Sequence, residues 1–142
     1  MFLSAISRVQ DLFLFSRENV KNVFIEDMIR FLDSNDIRYS SDISRIGKST
    51  LPFQFEFLIS KSKTAPERAI RLTNTLDNDK SKVLIFGWED TIQVRPKDSI
   101  LYVFINDSGG NVKQSALSSL REYQIKPVFW DERQRYVQEL AA

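Results

Sequence analysis

The sequence predicts an α+β fold, in which a single domain holds a mixed β-sheet of about four to six strands packed with helices. One strand is indicated by the alternation of apolar side chains from Leu51 to Ile59. Two short apolar runs, at 83–88 and 100–105, are typical of strands buried on both faces. Apolar residues at helical spacing lie before and between these segments, so we expect helices to cover the sheet.

The first 36 residues are predicted to form a helical segment that precedes a mixed-sheet core over 37–142. Phe2 and Phe13 bound a stripe of apolar residues at the spacing of one helical face, and a second helix is expected over roughly 17–33. The strongly apolar face of the first helix favours packing against a second copy, and so a homodimer through the N-terminal helices.

Within the core, the predicted elements alternate between strands and helices. Thr64 and Glu67 have the spacing of a capping box and Pro66 suits a first turn, which predicts a helix from Thr64 to Leu76. Ile92 and Val94 are expected to continue the sheet. The remaining predictions are strands at 37–46, 51–59, 83–88, 100–105 and 127–130, turns at 47–50 and 106–111, and helices at 116–123 and from Asp131 onward.

The chain contains no histidine and no cysteine, which excludes Ser-His and Cys-His catalytic pairs, disulfides and the commonest transition-metal ligands. Lys and Arg number 20 against 19 Asp and Glu, and this net charge of +1 does not indicate nucleic-acid binding. No apolar run is long enough to span a membrane, and no signal peptide is recognised. We therefore expect a cytoplasmic protein without a bound cofactor.

Basic residues cluster around the predicted helix start at Thr64. Lys61, Lys63, Arg68 and Arg71 would surround free main-chain N–H groups there, an arrangement that suits an anion. The alternative is a solvated helix face with flanking lysines. These five residues are the best candidate for a ligand site in the sequence.

Two other motifs have simpler structural explanations. Glu89 and Asp90 directly follow an apolar run and are able to ligate a divalent metal, but adjacent acids more often form a turn with a salt bridge. The tetrad at 47–50, Gly-Lys-Ser-Thr, has the ending of a phosphate-binding loop. Asp42 stands where that motif needs a glycine, and a strand follows where it needs a helix. A hairpin turn is therefore expected at 47–50.

From Thr64 onward, the predicted order is helix, three strands, helix, strand, which resembles in order the restriction-endonuclease-like nuclease core. Such a nuclease needs an acidic residue on its second strand and an Asp/Glu-x-Lys triplet on its third. No such triplet occurs in the chain. The resemblance implies a metal-dependent nuclease or an inactive relative of one. The active site of such a nuclease would consist of Glu89 and Asp90, together with Glu56 and with Lys61 or Lys63.

A series of short sequence motifs lies between Phe53 and Tyr136. They are FEF at 55–57, KSK at 61–63 with APER at 65–68, WEDT at 88–91 with Arg95, Tyr102 with ND at 106–107, and YQIKP at 123–127 with Trp130 before Arg133. In these phrases the chain resembles the C-terminal module of a two-part protein family from bacteria and prophages, a domain of unknown function. The family position matched by Glu56 is commonly Asp, and the family's N-terminal module is longer than the residues before Phe53. The chain therefore looks like a shortened member.

The favoured hypothesis is a phage- or prophage-associated protein that acts without catalysis, by binding a host protein such as one of a defence system. It depends on the missing histidine and cysteine, on the lack of a complete catalytic motif and on the resemblance. Two alternatives are open. One is the nuclease-like protein or its inactive relative, and the other is a nucleic-acid-binding regulator that uses Lys61, Lys63, Arg68 and Arg71.

Overall fold

The computed structural model describes residues 23–106 and 111–142, and its centre is a five-stranded sheet. A helix over 23–34, α1, precedes the sheet. The other elements, in chain order, are β1 (Ser40–Ile46), β2 (Pro52–Ile59), β3 (Arg68–Thr73), α2 (Asn78–Ile92), β4 (Ile100–Ile105), α3 (Gln114–Glu122), β5 (Lys126–Phe129), a 3-10 helix (Trp130–Tyr136) and α4 (Val137–Ala141).

The strands lie side by side in the order β1-β2-β3-β4-β5. The first three pair antiparallel, whereas β4 runs parallel to β3 and β5 runs parallel to β4. The helices α2 and α3 are the crossover connections that parallel neighbours require. The sheet is therefore mixed, and the predicted α+β class and number of strands are confirmed.

The hairpin of β1 and β2 forms as the sequence predicts. The side chains of Phe53, Phe55 and Phe57 on β2 are all buried, although Phe57 packs in a different apolar cluster from Phe53 and Phe55. Residues 47–50 form the turn, in which the Thr50 N–H donates to the Gly47 carbonyl at 3.0 Å. The expected hairpin turn is confirmed.

Two apolar clusters lie on opposite faces of the sheet. The helix α1, the 3-10 helix and α4 cover one face, where Met28 and Phe104 are buried. The helices α2 and α3 cover the other face, around Leu101 and Leu117. Successive residues of β4 belong to opposite clusters, as the pleat of a strand requires.

The helix predicted from Thr64 to Leu76 is wrong. Residues 68–73 form β3, and the segment before it turns at Ser62, whose Oγ accepts hydrogen bonds from the N–H groups of Thr64 and Ala65 at 3.3 and 3.1 Å. The alternation of the strand was hidden because Arg68 is a charged residue at a buried position.

The strand predicted at 83–88 is also wrong, because these residues lie in the middle of α2. Val83 and Phe86 are exposed, although they belong to the apolar run. The buried face of the helix consists of Ser81, Leu84, Gly87, Trp88 and Thr91. Ile92 and Val94 do not continue the sheet either, since Ile92 ends α2 and Val94 follows it.

The predictions at 100–105, 116–123 and 127–130 agree with β4, α3 and β5 apart from their bounds. The helix expected from Asp131 is a 3-10 helix until Val137. The first predicted helix and the turn residues 107–110 lie outside the described residues. The homodimer expected through the N-terminal helices stays a prediction. In residues 23–106 and 111–142, no helix has the length and apolar character needed to cross a membrane.

The order helix, three strands, helix, strand is present, but it begins at α1 and not at Thr64. It runs through α1, the strands β1, β2 and β3, the helix α2 and the strand β4. The second and third strands of that order are thus β2 and β3. A centre of the nuclease type would lie where these two strands meet.

Candidate functional site

Glu56 and Arg71 form an ion pair where β2 and β3 separate. The last residues paired between the two strands in this direction are Phe57 and Ile70. Beyond them, Glu56 Oε2 accepts a hydrogen bond from the Leu72 N–H at 3.2 Å and lies 3.8 Å from Arg71 Nε. The side chain of Glu56 is 12% exposed and that of Arg71 is 27% exposed. The carboxylate therefore joins the two strands where their main-chain pairing has ended.

Further contacts hold the guanidinium of Arg71 in place. Its Nη1 donates a hydrogen bond to the Gln54 carbonyl at 2.6 Å, and its central carbon lies 5.2 Å from the centroid of the Phe53 ring. A metal ion at Glu56 would meet this positive charge at close range and be repelled by it. The arrangement suits a link between strands and does not suit a ligand of a cation.

The third strand lacks the residues that a nuclease of this type needs. All of β3 reads RAIRLT, so no carboxylate stands on it, and Arg71 and Thr73 share a face near Glu56. In the described part of the chain, no three carboxylate side chains come together in a way that could hold a metal ion.

Lys80 also lies at this end of β3, although no motif in the sequence pointed to it. Its Nζ lies 3.0 Å from Thr73 Oγ1 and 3.3 Å from Thr75 Oγ1. Asp77 caps α2 by accepting a hydrogen bond from the Lys80 N–H at 2.8 Å. An Asp that is able to accept a hydrogen bond from the N–H three residues later is typical of a helix start, so the sequence did contain a signal for a helix beginning at Asp77. The prediction of a strand at 83–88 concealed it.

The residues of the predicted anion site do not come together. No helix begins at Thr64, so the expected free N–H groups are replaced by a turn. Arg68 and Arg71 lie three residues apart on a strand and therefore point to opposite faces of the sheet. Lys61 and Lys63 are exposed in the segment between β2 and β3.

Arg68 is 1% exposed and its guanidinium is occupied by main-chain carbonyls. Its Nη1 lies 2.7 Å from the Glu139 carbonyl oxygen and 3.1 Å from that of Leu140, and its Nη2 donates to the Ser60 carbonyl at 2.9 Å. Burial lowers the pKa of Arg68, and the charge of Glu139 is among the effects that oppose this. Arg68 thus links the end of β2 to α4, which leaves little of it for an external anion.

Asp90 lies near the end of α2 and binds the turn of the β1–β2 hairpin. Its carboxylate accepts hydrogen bonds from the N–H and the hydroxyl of Ser49, both at 2.7 Å. Its main-chain carbonyl accepts one from the Lys48 N–H at 3.1 Å. Glu89 is exposed. Glu56 and Asp90 are therefore held by different partners, and the structure does not bring Glu56, Glu89 and Asp90 into one metal site.

Four apolar side chains are exposed on α2 and beside the hairpin turn. Val83 and Phe86 lie one turn apart on α2 and are 64% and 57% exposed. Ile46 and Leu51 flank the hairpin turn and are 63% and 55% exposed. Asp90, one turn after Phe86, holds the turn that Ile46 and Leu51 flank. We call these four residues the α2–hairpin surface.

Residues 47–133, which are more than half of the chain, match the model of a family described as Domain of unknown function DUF1829. Neither the curated proteins nor the solved structures gave a match.

Proposed function

This chain belongs to the DUF1829 family, a domain of unknown function, and we propose that it acts without catalysis, by binding a host protein. The observation that carries the proposal is the ion pair of Glu56 and Arg71. At the junction of β2 and β3, where a nuclease of the same element order would hold its metal, the carboxylate lies 3.8 Å from a guanidinium nitrogen and accepts a hydrogen bond from a main-chain N–H. The chain is then an inactive relative of such a nuclease.

The surface of the protein supports binding to another protein. The α2–hairpin surface exposes four large apolar side chains on two elements that Asp90 joins, and exposed apolar surface is frequent at protein interfaces. A link to phages or prophages is supported by the resemblance of Phe53–Tyr136 to a family from those sources. In that setting, the partner is a protein of the bacterial host, such as one of a defence system.

The test is an affinity purification of the tagged full chain from a lysate of the native host, with and without nuclease treatment. We expect one protein to be recovered in stoichiometric amount in both samples. A surface variant, Val83→Ser with Phe86→Ser, measures the contribution of the α2–hairpin surface. Recovery of nucleic acid alone, with binding that weakens steeply as salt rises, would replace the proposal with a nucleic-acid-binding regulator.

Metal-dependent cleavage is the second arm of the test. Purified chain is incubated with single- and double-stranded DNA and RNA in the presence of Mg²⁺ or Mn²⁺, and Glu56→Gln serves as the matched variant. We expect the two proteins to show the same background. Cleavage by the wild-type chain that Glu56→Gln abolishes would contradict the proposal.

A further inference from the structure

A groove runs along the outer side of β5, which is the last strand of the described sheet. Its volume is about 570 Å³. The end of α3 forms one wall and the 3-10 helix forms the other. The residues that line the groove include Arg121, Lys126, Pro127, Phe129, Glu132 and Tyr136.

Pro127 fixes which main-chain groups of β5 face the groove. Lys126 is paired with Tyr102 of β4 and Pro127 is paired with Val103 in the parallel ladder. Proline has no N–H, and alternate residues of a strand turn their N–H groups to the same side. The bonds to β4 must therefore come from Lys126 and Val128. The Pro127 carbonyl and the Phe129 N–H are left on the outer side of the strand.

The charged groups of the groove differ in whether an opposite charge balances them. Lys126 Nζ lies 3.4 Å from Glu139 Oε1, and Glu132 pairs with Arg135 at 3.4 Å, so both of these charges are partly balanced. The guanidinium of Arg121 makes no hydrogen bond or ion pair with any residue that the structure describes. Arg121 is exposed at the end of α3 beside β5, where it is able to receive a carboxylate.

We propose that this groove binds an extended, acidic segment of the partner protein, which adds to the sheet as a strand beside β5. The proposal rests on the binding function proposed above and assigns it a surface. Main-chain bonds would join the guest to the Phe129 N–H and the Pro127 carbonyl. A carboxylate of the guest pairs with Arg121, and apolar side chains of the guest pack against the ring of Phe129 on one face and against the ring of Tyr136 on the other.

Charge favours an acidic guest over a second copy of this chain. A strand β5 from another copy would bring its own Lys126 to a groove whose unbalanced charge is that of Arg121, and like charges repel. Because Pro127 withholds one N–H, few main-chain bonds are available at this edge. Side-chain recognition must therefore supply much of the selectivity.

The first test is a selection of random ten-residue peptides displayed on a carrier, with the folded full chain as the target. We expect the selected peptides to be rich in Asp and Glu alternating with apolar residues. Arg121→Glu should weaken binding of these peptides about tenfold or more. Their Glu→Lys versions should recover binding to Arg121→Glu. Lys82→Glu, which changes an exposed charge on α2 away from the groove, is the matched control and should bind the original peptides normally.

A second pair of variants isolates the main-chain bond. The φ angle of Phe129 is −68°, which a proline ring accepts, so Phe129→Pro removes the outer N–H without a change of backbone conformation. Phe129→Ala removes the same ring but keeps the N–H. We expect Phe129→Pro to bind the selected peptides about 3- to 10-fold more weakly than Phe129→Ala, the loss of one hydrogen bond. Equal binding by the two variants would overturn strand addition at this edge.

Other outcomes separate this proposal from the function on which it rests. If the host protein is still recovered with Arg121→Glu but is lost with Val83→Ser/Phe86→Ser, the binding function holds and the groove is the wrong surface. If no host protein is recovered but acidic peptides bind in an Arg121-dependent way, the groove holds and the host-protein function fails. A concentration-dependent dimer that Arg121→Glu dissociates would show that a second copy occupies the groove, which would overturn the acidic guest.

Discussion

Asp90 accepts two hydrogen bonds from Ser49, one from its main-chain N–H and one from its hydroxyl, each at 2.7 Å. The two residues are 41 positions apart in the chain. Ser49 belongs to the tetrad at 47–50, which has the ending of a phosphate-binding loop, and Asp90 belongs to the acidic pair that was a candidate metal ligand. In the folded protein these two motifs bind each other. The acidic residue holds the hairpin turn against the end of α2.

We expect Asp90→Ala to lower the free energy of unfolding by about 1–2 kcal/mol, because both donors of Ser49 lose their acceptor. Ser49→Ala removes one of the two bonds, so the double variant should be less destabilised than the sum of the single variants. Urea unfolding followed by circular dichroism measures the cycle. Glu89→Ala, a neighbouring exposed acid, is the control. Strict additivity of the two changes would contradict the contact.

Gly87 lies in the middle of α2 because the ring of Phe53 leaves no room for a side chain. A Cβ placed there would come within 2.4 Å of the ring carbons. Gly87→Ala should therefore destabilise the protein by about 1–3 kcal/mol, although alanine is the better helix former by about 1 kcal/mol. Thermal unfolding measures the change. Phe53→Leu should reduce the loss in the double variant, and a Gly87→Ala protein more stable than the wild type would contradict the close contact.

Arg68→Met should lower the free energy of unfolding by about 3 kcal/mol, because the Ser60 carbonyl and the carbonyls at the end of α4 lose a buried donor. Methionine keeps most of the apolar stem, so the loss reports the guanidinium. Arg30→Met is the matched control, since the Arg30 side chain is 76% exposed. Equal free energies of unfolding for Arg68→Met and Arg30→Met in urea would show that the buried hydrogen bonds of Arg68 do not stabilise the protein.

The stability of the protein should fall at high pH in a way that depends on Tyr102. Burial, and then the hydrogen bond of its hydroxyl to Glu139 at 2.6 Å, raise the pKa of Tyr102 well above 10. The folded state therefore keeps this proton when the unfolded chain has released it. The contribution of Tyr102 to the free energy of unfolding is complete below pH 10. It is lost as the pH rises from 10 toward the folded-state pKa, by about 1.4 kcal/mol per pH unit for one proton.

Tyr102→Phe should remove the part of the decrease in the free energy of unfolding above pH 10 that Tyr102 causes. Urea unfolding between pH 8 and pH 11.5 measures this decrease. Tyr123→Phe is the control, because Tyr123 is 50% exposed. A Tyr102→Phe protein with the same loss of stability above pH 10 as the wild type would contradict the assignment.

The sequence indicates strands well where burial follows a simple period. The phenylalanines of β2 and the apolar run of β4 are correctly placed for this reason. It fails at β3 and α2, and each failure has a physical cause. In β3, Arg68 occupies a buried position because main-chain carbonyls accept hydrogen bonds from both of its Nη atoms, and no local pattern reveals partners about 70 residues away. In α2, the apolar residues Val83 and Phe86 lie on the exposed face, whereas the buried face includes the polar residues Ser81 and Thr91.

The candidate site was predictable only in part. Glu56 was singled out as an acid on a strand, but its partner Arg71 was assigned to a helix. The groove on β5 was not anticipated at all. Its walls come from α3 and the 3-10 helix, and the outward groups of β5 depend on which neighbour the strand has. Such information belongs to the topology of the sheet and is absent from any short stretch of sequence.

The mixed sheet also determines the order in which its strands can assemble. The strands β1 and β2 are joined by a short turn, whereas residues 74–99 separate β3 from its parallel neighbour β4. The entropy lost on closing a loop grows with its length, so the antiparallel part is expected to pair before the parallel part. During this interval β3 has an unpaired edge, and the newly made chain is most exposed to aggregation until α2 brings β4 into place.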